Sequence, residues 1–268
     1  MALKGLAILV VLAWSLIPIA MIMMSSFKTD RDIFAVPPRL AFQPTWMNYV
    51  ALWERWGDFF HGLLNSLIVT AGATIVAVLS SAVAGYAYSR FRHKVLAGSA
   101  FFLIFIRLIP PIVITLPLFP AVNWLGLNDT HFILIILYAT FFVSLGTLVM
   151  RTFIDQIPKE IDEAAVMDGR SRLGAFVFII APLAAPGIAA TAVLCFILSW
   201  NEFLYAFILV AFEGRPLTVG IPGLVTPHGT LWGQVAAVAV VATLPILIFT
   251  FLVRRQLVRG LTFGAVKG

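Results

Sequence analysis

Long apolar stretches alternate with short polar connections along this chain. A hydrocarbon core about 30 Å thick requires roughly 20 mostly apolar helical residues to cross it. Six stretches of the chain approach or exceed this length, and they predict helices at residues 6–24, 63–88, 96–119, 132–150, 178–207 and 235–253. The pattern therefore predicts an all-α polytopic membrane protein with about six transmembrane helices, in a single domain over residues 1–268.

The composition agrees with this pattern. Hydrophobic residues make up 61% of the 268 residues and charged residues 11%, with a mean hydropathy of +1.02, whereas a soluble domain carries about 25% charged residues. The net charge of +6 resides in short basic patches beside apolar stretches, which is typical of topology signals. Because the patches are short, no nucleic-acid partner is predicted. No metal site is predicted, because the four histidines lack ligand spacing and Cys195 is the lone cysteine.

Lysine and arginine positions predict the orientation. With both termini in the cytoplasm, twelve basic residues lie inside, five lie outside and Arg107 lies within a span. This bias is the one that the positive-inside rule expects. The outer group is Lys28, Arg31, Arg39, Arg55 and Arg215; the inner group is Lys4, Arg90, Arg92, Lys94, Arg151, Lys159, Arg170, Arg172, Arg254, Arg255, Arg259 and Lys267.

The connections between the spans differ in length and composition. Residues 28–62 form an extracytoplasmic segment in which residues 46–60 predict a helix at the headgroup level. Residues 210–234 are rich in glycine and proline and predict a structured outer loop or a re-entrant turn. Residues 151–177 and the tail at 254–268 are predicted to lie in the cytoplasm.

A polar insert between the fourth and fifth spans is the most informative connection. Pro158 has the backbone angle of a first helical residue, and residues 159–167 are good helix formers, so a short helix is predicted there. Asp168 and Gly169 end this helix, because glycine adopts the left-handed conformation that terminates helices. A second helix is predicted from about Ser171 into the fifth span. The alternative is an ordinary solvated helix between two spans.

Residues 163–169 of this insert read Glu-Ala-Ala-Val-Met-Asp-Gly, and residues 180–183 read Ile-Ala-Pro-Leu. With these residues the insert resembles the EAA loop of permeases of ATP-binding cassette (ABC) importers. Further similarities to the carbohydrate-type subgroup, the maltose transporter permease family, extend over nearly the whole chain. They are Ser26-Phe27-Lys28, Asn48-Tyr49, Asn65-Ser66, Trp200-Asn201-Glu202-Phe203, Gly260-Leu261-Thr262 and residues 264–268. The ending resembles the smaller, MalG-like member of the permease pair.

The resemblance implies a fold, a function and partners. It implies the MetI/MalG-like permease fold and a permease subunit, not a catalyst, of a binding-protein-dependent importer in the inner membrane. The implied partners are a second, MalF-like permease, two ATPase subunits, an extracytoplasmic solute-binding protein and membrane lipid. ATP and Mg are bound by the ATPases and no cofactor by this chain, in which no phosphate-binding loop motif occurs. The implied cargo is a sugar, oligosaccharide, polyol or sugar-like phosphodiester.

In the resembled family the EAA loop sits in a cleft of the ATPase subunit and transmits its movement. The resemblance therefore assigns coupling to Glu163, Ala164, Ala165, Asp168 and Gly169. The two alanines would permit close approach of a partner backbone, and Glu163 can add a charge-assisted hydrogen bond.

Four other residues are candidates for the substrate path: Arg107, Trp200, Asn201 and Glu202. A charge at the centre of a membrane helix costs about 2.5–3.5 kcal/mol, so Arg107 and Glu202 are expected to face protein or water. The alternative is that both pair with polar groups and hold helices together. Trp200 and Asn201 would offer a sugar a flat apolar face and hydrogen bonds, unless Trp200 belongs to an interfacial belt. Arg107 would suit a carboxylate, phosphate or sulfonate.

Other polar and small residues receive structural interpretations. Asn65 and Ser66 are predicted to cap the second span. Small residues of the same span predict close helix packing rather than a site: Gly72, Ser80, Ser81, Ala84 and Gly85.

Two other functional classes are alternatives to the importer. A self-sufficient secondary transporter would require inverted repeats and interrupted helices. An intramembrane enzyme would require clustered acid, base or nucleophile residues. Neither pattern is clear in the sequence.

Overall fold

The computed structural model describes residues 2–55, 57–226 and 229–265. Within them, four helices contain stretches long and apolar enough to cross a membrane, and two bent helix pairs would raise the number of spans to six. The four long helices are α1 (Ala2–Ser26), α4 (Gly57–Arg90), α7 (His131–Ile154) and α14 (Trp232–Ala265). Each of the six predicted spans therefore corresponds to a helix or to a bent helix pair.

The third predicted span is bent by 94° at a break in the helix. It consists of α5 (Lys94–Phe105) with a 3₁₀ turn (Ile106–Leu108), followed by α6 (Pro111–Trp124). Two consecutive prolines, Pro110 and Pro111, supply no backbone donors, and a residue that precedes proline is disfavoured in the helical conformation. The helix therefore stops before them and restarts in a new direction.

The fifth predicted span is bent by 78°. Its first part is α9 (Arg172–Ala175), a π-helical turn (Phe176–Ile180) and α10 (Ala181–Leu183), and its second part is α11 (Ala185–Trp200). Pro186 lies in the first turn of α11, where proline is tolerated. Pro182 and Pro186, near the start of the fifth apolar stretch, predict a bent or delayed entry from the sequence, and the structure confirms the bend. Interrupted helices, which were not clear from the sequence, occur twice among the described residues.

The remaining described elements are short. They are α2 (Asp30–Ile33), α3 (Met47–Arg55), α8 (Lys159–Met167), α12 (Leu204–Leu209), α13 (Leu217–Gly220), a 3₁₀ turn (Ile221–Leu224) and two antiparallel strands, β1 (Val225–Thr226) and β2 (Gly229–Thr230). Val225 lies opposite Thr230 in this ladder. The helix predicted at 46–60 is divided between α3 and the start of α4. The described residues of the loop at 210–234 are structured, as predicted.

Contacts divide the chain into two compact units, residues 1–64 with 217–245 and residues 65–216 with 246–268. The core of the first unit is formed by Leu52, Phe59, Leu217, Leu224, Ala237 and Val238. The core of the second contains a cluster of Ala82, Tyr86, Met150, Ile154, Phe176, Ile180 and Ala184.

Two of the family-like motifs meet in the first unit. The side-chain amide of Asn48 donates hydrogen bonds to the carbonyls of Ser26 and Lys28, both at 2.9 Å. The Tyr49 hydroxyl donates to Oγ of Ser26 at 2.8 Å, and its ring lies 5.3 Å from that of Phe27. These motifs therefore fasten the end of α1 to α3.

Close packing of α4 on α7 organises the second unit. A Cβ on Gly85 would lie 2.7 Å from Cβ of Met150, and one on Gly72 would lie 2.7 Å from Cδ1 of Ile135. The predicted packing role is confirmed for both glycines, whereas Ser80 is exposed and takes no part in this contact.

Candidate functional site

The polar insert folds as α8 followed by a tight left-handed turn. Pro158 is the N-cap and not the first helical residue. Gly169 has φ = 84°, and its N–H donates to the carbonyl of Val166 at 3.0 Å. The N–H of Arg170 donates to the carbonyl of Ala165 at 3.1 Å. These two bonds form the Schellman motif that ends helices, so the predicted stop at Gly169 is confirmed.

The second helix of the insert also begins where predicted. The Ser171 hydroxyl accepts a hydrogen bond from a backbone N–H of the next turn at 3.1 Å. The arginines on either side lie over aromatic rings: Arg170 is 5.2 Å from the Phe178 ring centroid, and Arg172 is 5.2 Å from that of Phe91. Cation–π contacts of this kind hold the turn against its neighbours.

Asp162 fastens α8 to the last turn of α4. Its carboxylate accepts hydrogen bonds from Nε of Arg90 at 2.7 Å and from the Tyr86 hydroxyl at 2.8 Å. The side chains of Arg90 and Asp162 are only 7% and 14% exposed. A charge pair at this depth is screened little by solvent, and loss of one partner leaves the other charge buried.

Arg90 also binds the segment that leads into α8. Its Nη2 donates to the carbonyl of Ile157 at 2.9 Å, and its Nη1 donates to the Ser89 hydroxyl at 2.9 Å. The Ser89 hydroxyl donates in turn to the Asp155 carboxylate at 2.6 Å. The end of α4 is therefore bonded to several points between residues 155 and 162. Sequence reasoning missed this cluster, because it used Arg90 only as a topology signal.

The residues assigned to coupling do not all face outward. Glu163, Ala164, Asp168 and Gly169 are exposed, whereas Ala165 is 3% exposed and packs inside this chain. The expectation that both alanines form a docking surface is therefore wrong for Ala165. Only Ala164 of the pair leaves room for the close approach of another protein.

Apolar side chains border this exposed surface. Met167 is 86% exposed, and Val166 and Leu173 are also open to solvent. Exposed apolar patches mark interaction surfaces, because their burial by a partner is favourable. Sequence reasoning did not single out these residues; an apolar pair at the end of an otherwise polar helix was the available signal.

Arg107 occupies the bend between α5 and α6. It lies in the 3₁₀ turn and is half-buried. Its Nη1 is 3.4 Å from the Ser144 hydroxyl, and its guanidinium lies 5.3 Å from the Phe141 ring centroid. Among the residues that the structure describes, no carboxylate lies within 4.0 Å of this guanidinium. Its positive charge is therefore open to an anionic group.

Trp200 is buried. It is 5% exposed, and its ring stacks with that of Phe196 at a centroid distance of 6.0 Å. Both predicted roles, an interfacial belt residue and a flat face for a sugar, require an open ring and are therefore wrong. Asn201 remains exposed and donates to the carbonyl of Ile197 at 2.7 Å.

Glu202 caps a helix. Its Oε1 accepts hydrogen bonds from the backbone N–H groups of Leu204 at 2.9 Å and Tyr205 at 3.2 Å, at the start of α12. A carboxylate at this position satisfies donors that the first helical turn leaves free. This geometry supports the structural interpretation of Glu202.

Asn65 connects α4 to a loop. The predicted role of Asn65 as a helix cap is therefore wrong. The helix begins eight residues earlier, at Gly57. The Asn65 side-chain amide donates to the carbonyls of Glu213 at 2.7 Å and Arg215 at 3.1 Å, and its oxygen lies 2.8 Å from Nε2 of His131. The predicted cap relied on residues next to Asn65 in the sequence, whereas its actual partners are distant in the sequence.

Asp129 holds the same loop from a second direction. Its carboxylate accepts hydrogen bonds from the consecutive backbone N–H groups of Ala211, Phe212, Glu213 and Gly214, at 3.1, 3.0, 3.1 and 3.4 Å. Burial acts to raise the pKa of Asp129, but the four donors outweigh it and hold this pKa below its ordinary value. The loop of residues 211–215 is therefore fixed by two side chains.

Comparison with known proteins identifies the family. Residues 77–262 match the profile described as "Binding-protein-dependent transport system inner membrane component". The chain is 33% identical over 272 residues to the inner membrane ABC transporter permease protein YcjP of Escherichia coli, covering 98% of this chain and 95% of YcjP. It is 34% identical over 256 residues to the trehalose/maltose transport system permease protein MalG of Thermococcus litoralis, covering 94% and 92%.

Two further similarities extend the comparison. The chain is 30% identical over 272 residues to the sulfoquinovosyl glycerol transport system permease protein SmoH of Agrobacterium fabrum, covering 99% of this chain and 94% of SmoH. Its fold matches a chain of a bacterial ABC transporter that imports the acidic polysaccharide alginate, with a TM-score of 0.78, 22% identity and 95% of each chain covered.

These similarities extend over most of the chain, and several exceed 30% identity. They confirm the recognition drawn from the motifs and the predicted all-α permease fold. They also confirm that the chain is a membrane permease, which works with other ABC transporter components and is not itself a catalyst. The chain belongs to the family of inner membrane components of binding-protein-dependent transport systems.

Proposed function

We propose that this chain forms half of the translocation path of an importer for a sugar or a sugar-like solute. A second, homologous permease forms the other half. Two ATPase subunits, which bind ATP and Mg, and an extracytoplasmic solute-binding protein complete the complex. The chain acts as one transmembrane domain, with segment 28–62 outside and both termini in the cytoplasm of a prokaryote.

The surface of α8 is the observation that carries this proposal. Glu163, Ala164 and Met167 are open to solvent, while Asp162 is bonded to Arg90 at the end of α4. The helix thus has one surface available to a partner and another fixed to its own chain. An ordinary solvated connection requires neither feature.

The proposed mechanism uses α8 as the docking segment for an ATPase subunit. ATP binding closes the two ATPases and draws the α8 helices of the permease pair together, which shifts the pair from inward-open to outward-open. A partner can drive such a shift only by binding one state more tightly than the other. In the proposed complex that preference acts through the contact between residues 163–169 of this chain and the ATPase cleft that receives them.

The predicted orientation supports this arrangement. The same excess of lysine and arginine that assigns both termini to the cytoplasm assigns α8 to that side. The loop at 211–215 then lies outside, where a solute-binding protein approaches.

The cargo is proposed to be a carbohydrate. Two relatives are named for carbohydrate transport, a trehalose/maltose permease and a sulfoquinovosyl glycerol permease. The structural neighbour is involved in the import of the acidic polysaccharide alginate. Arg107 in the α5–α6 bend would contact an anionic group of the solute, since a guanidinium matches carboxylate, phosphate or sulfonate oxygens. Asn201, which is exposed, remains a candidate for a sugar hydrogen bond.

Copurification tests the docking role of α8. A tagged chain expressed with its neighbouring transport genes is expected to retain the ATPase subunits. An Ala164→Trp substitution fills the space for the partner backbone and is expected to lower the retained ATPase about tenfold, the effect of roughly 1.4 kcal/mol of binding energy. Ala41→Trp, at an exposed alanine outside both α8 and the loop at 211–215, is the matched control and should retain it. Equal retention by both variants would contradict docking at α8.

A further inference from the structure

The connection between α8 and the rest of this chain suggests how movement leaves α8. Both of its ends are turns: the Pro158 cap precedes it and the left-handed Gly169 follows it. Neither end continues as an unbroken helix, so the backbone alone is a soft connection to α7 and α9. The side-chain contacts of α8 therefore determine which helix follows its displacement.

The charged contact of α8 leads to α4. Arg90 is the last residue of α4 and binds both Asp162 and the carbonyl of Ile157. A guanidinium presents several donors in a fixed planar arrangement, so one side chain holds two acceptors in a defined geometry. The favourable position of a cation at a helix C-terminus further fixes this contact.

The other end of the same helix segment is also fastened. Asn65 donates to the carbonyls of Glu213 and Arg215 in the loop held by Asp129. The helix between Asn65 and Arg90 contains no proline and is about 38 Å long at 1.5 Å per residue, enough to cross a bilayer core of about 30 Å. A continuous helix therefore joins α8 to the loop at 211–215.

We propose that α4 transmits displacement of α8 to the loop at 211–215, with Arg90 and Asn65 as positioning residues at its two ends. This inference rests on the proposed docking of an ATPase at α8. It adds that the nucleotide signal reaches the outer face through α4 and that the loop receives it through Asn65. By the same contacts, a partner that displaces the loop changes the position of α8.

Hydrogen–deuterium exchange on the assembled complex in nanodiscs tests the proposal. In the wild-type complex, Mg-ATP with orthovanadate is expected to change deuterium uptake in peptides covering 155–171 and in those covering 208–217. The measured quantity is the difference caused by nucleotide. A residue that merely stabilises α4 alters uptake with and without nucleotide alike.

Arg90→Gln removes the charge and most of the donors. The nucleotide-dependent difference at 155–171 should persist, while that at 208–217 should fall about fivefold, the lower end of typical coupling between sites. Arg92→Gln is the matched control, because Arg92 lies two residues away and is exposed; both differences should remain. Arg90→Lys keeps the charge but not the planar group and should recover part of the difference at the loop.

The loop end is tested by Asn65→Leu, which should likewise lower the difference at 208–217 about fivefold without affecting that at 155–171. If Arg90→Gln prevents assembly, Asp162→Asn interrupts the same contact from α8 and carries the same expectation. A full difference at the loop in any assembled variant of Arg90 or Asp162 that lacks this contact would overturn the role of α4. Absence of any difference at 155–171 in the wild type would instead overturn the proposed docking at α8, and this inference with it.

Discussion

The carboxylate of Asp129 accepts a hydrogen bond from the backbone N–H of Phe212 at 3.0 Å, across 83 residues of sequence. Asp129 has a left-handed backbone conformation, with φ = 61°. This conformation is uncommon outside glycine, asparagine and aspartate, and it directs the short side chain toward the loop. One residue thus turns its own chain and organises a second segment.

Removal of this carboxylate should loosen the loop at 211–215. Asp129→Ala leaves four backbone N–H groups without their acceptor, and we expect a loss of about 1–3 kcal/mol, reduced where water reaches the freed groups. Thermal unfolding in detergent measures the loss, and faster hydrogen exchange at residues 208–217 locates it. Glu54→Ala, at an exposed carboxylate of α3, is the control and should change neither. Unchanged exchange in the loop would show that Asp129 does not hold it.

The lowered pKa of Asp129 predicts a pH dependence. A carboxyl group whose folded pKa lies below its unfolded value contributes stability that is present above the unfolded pKa, here 3.8, and is lost as pH falls through the folded pKa. Asp129→Asn cannot ionise. The difference in unfolding temperature between wild type and this variant should therefore be largest near neutral pH and shrink below pH 3.8. A constant difference across that range would contradict the assignment.

Close contact between α4 and α7 makes Gly85 intolerant of a larger side chain. A Cβ there would lie 2.7 Å from Cβ of Met150 and 2.9 Å from the backbone nitrogen of Arg151. Since one of these atoms belongs to the backbone, Gly85→Ala should destabilise the protein by about 1–3 kcal/mol.

Gly98→Ala is the matched control for this contact. Gly98 lies in the helix α5, and beyond its chain neighbours and the backbone of its own helix no atom lies within 4 Å of the position of its Cβ. Alanine is a better helix former than glycine, so Gly98→Ala should be neutral or stabilising by up to about 1 kcal/mol. Thermal unfolding of both variants checks the pair, and equal effects would contradict the tight α4–α7 contact.

Local patterns predicted the elements well for physical reasons. The length of each apolar stretch fixes the number of spans, and Pro158 with Gly169 defines α8, because these residues constrain the backbone wherever they occur. The bend at Pro186 was predicted on the same grounds. The bend at Pro110 and Pro111 was missed, although the same constraint applies there.

Side-chain roles that depend on distant partners were predicted poorly. Asn65 was interpreted as a cap because asparagine suits helix starts, yet its partners lie about 150 residues away. Trp200 was interpreted as a flat face for a sugar or as an interfacial belt residue, because tryptophan suits both, but packing against Phe196 buries it. The Arg90–Asp162 pair spans 72 residues. A single sequence contains no signal that joins such positions.

Substitution of Gly169 should disturb the turn that ends α8. At φ = 84° an alanine is strained, and beyond the two chain neighbours no atom lies within 4 Å of its Cβ, so the cost is conformational. We expect Gly169→Ala to cost about 1–2 kcal/mol and Gly169→Asn to cost less, because asparagine accepts this conformation. Hydrogen exchange at residues 165–171 and ATPase copurification measure the effect. If Gly169→Ala and the wild type show the same hydrogen exchange at residues 165–171 and retain the same amount of ATPase, the left-handed turn is not required.

Arg107 provides a test of the charge of the cargo. Its guanidinium lies in the bend between α5 and α6, where it contacts the Ser144 hydroxyl and the Phe141 ring. It forms no ion pair with any carboxylate of the described residues. If an anionic solute passes this point, Arg107→Gln should reduce its transport about tenfold or more, since a charge-assisted hydrogen bond is worth about 1.5–3 kcal/mol. Arg107→Lys keeps the charge and should recover part of the rate.

The measurement for Arg107 is uptake by cells that express the complete transporter, with the assembled complex quantified in parallel. Arg31→Gln, at an exposed arginine of α2, is the control and should transport normally. Reduced uptake with intact assembly places Arg107 on the path of an anionic solute, because a merely structural arginine would reduce assembly and uptake together. Normal uptake by Arg107→Gln with intact assembly would remove Arg107 from the path and, with it, the structural argument for an anionic cargo.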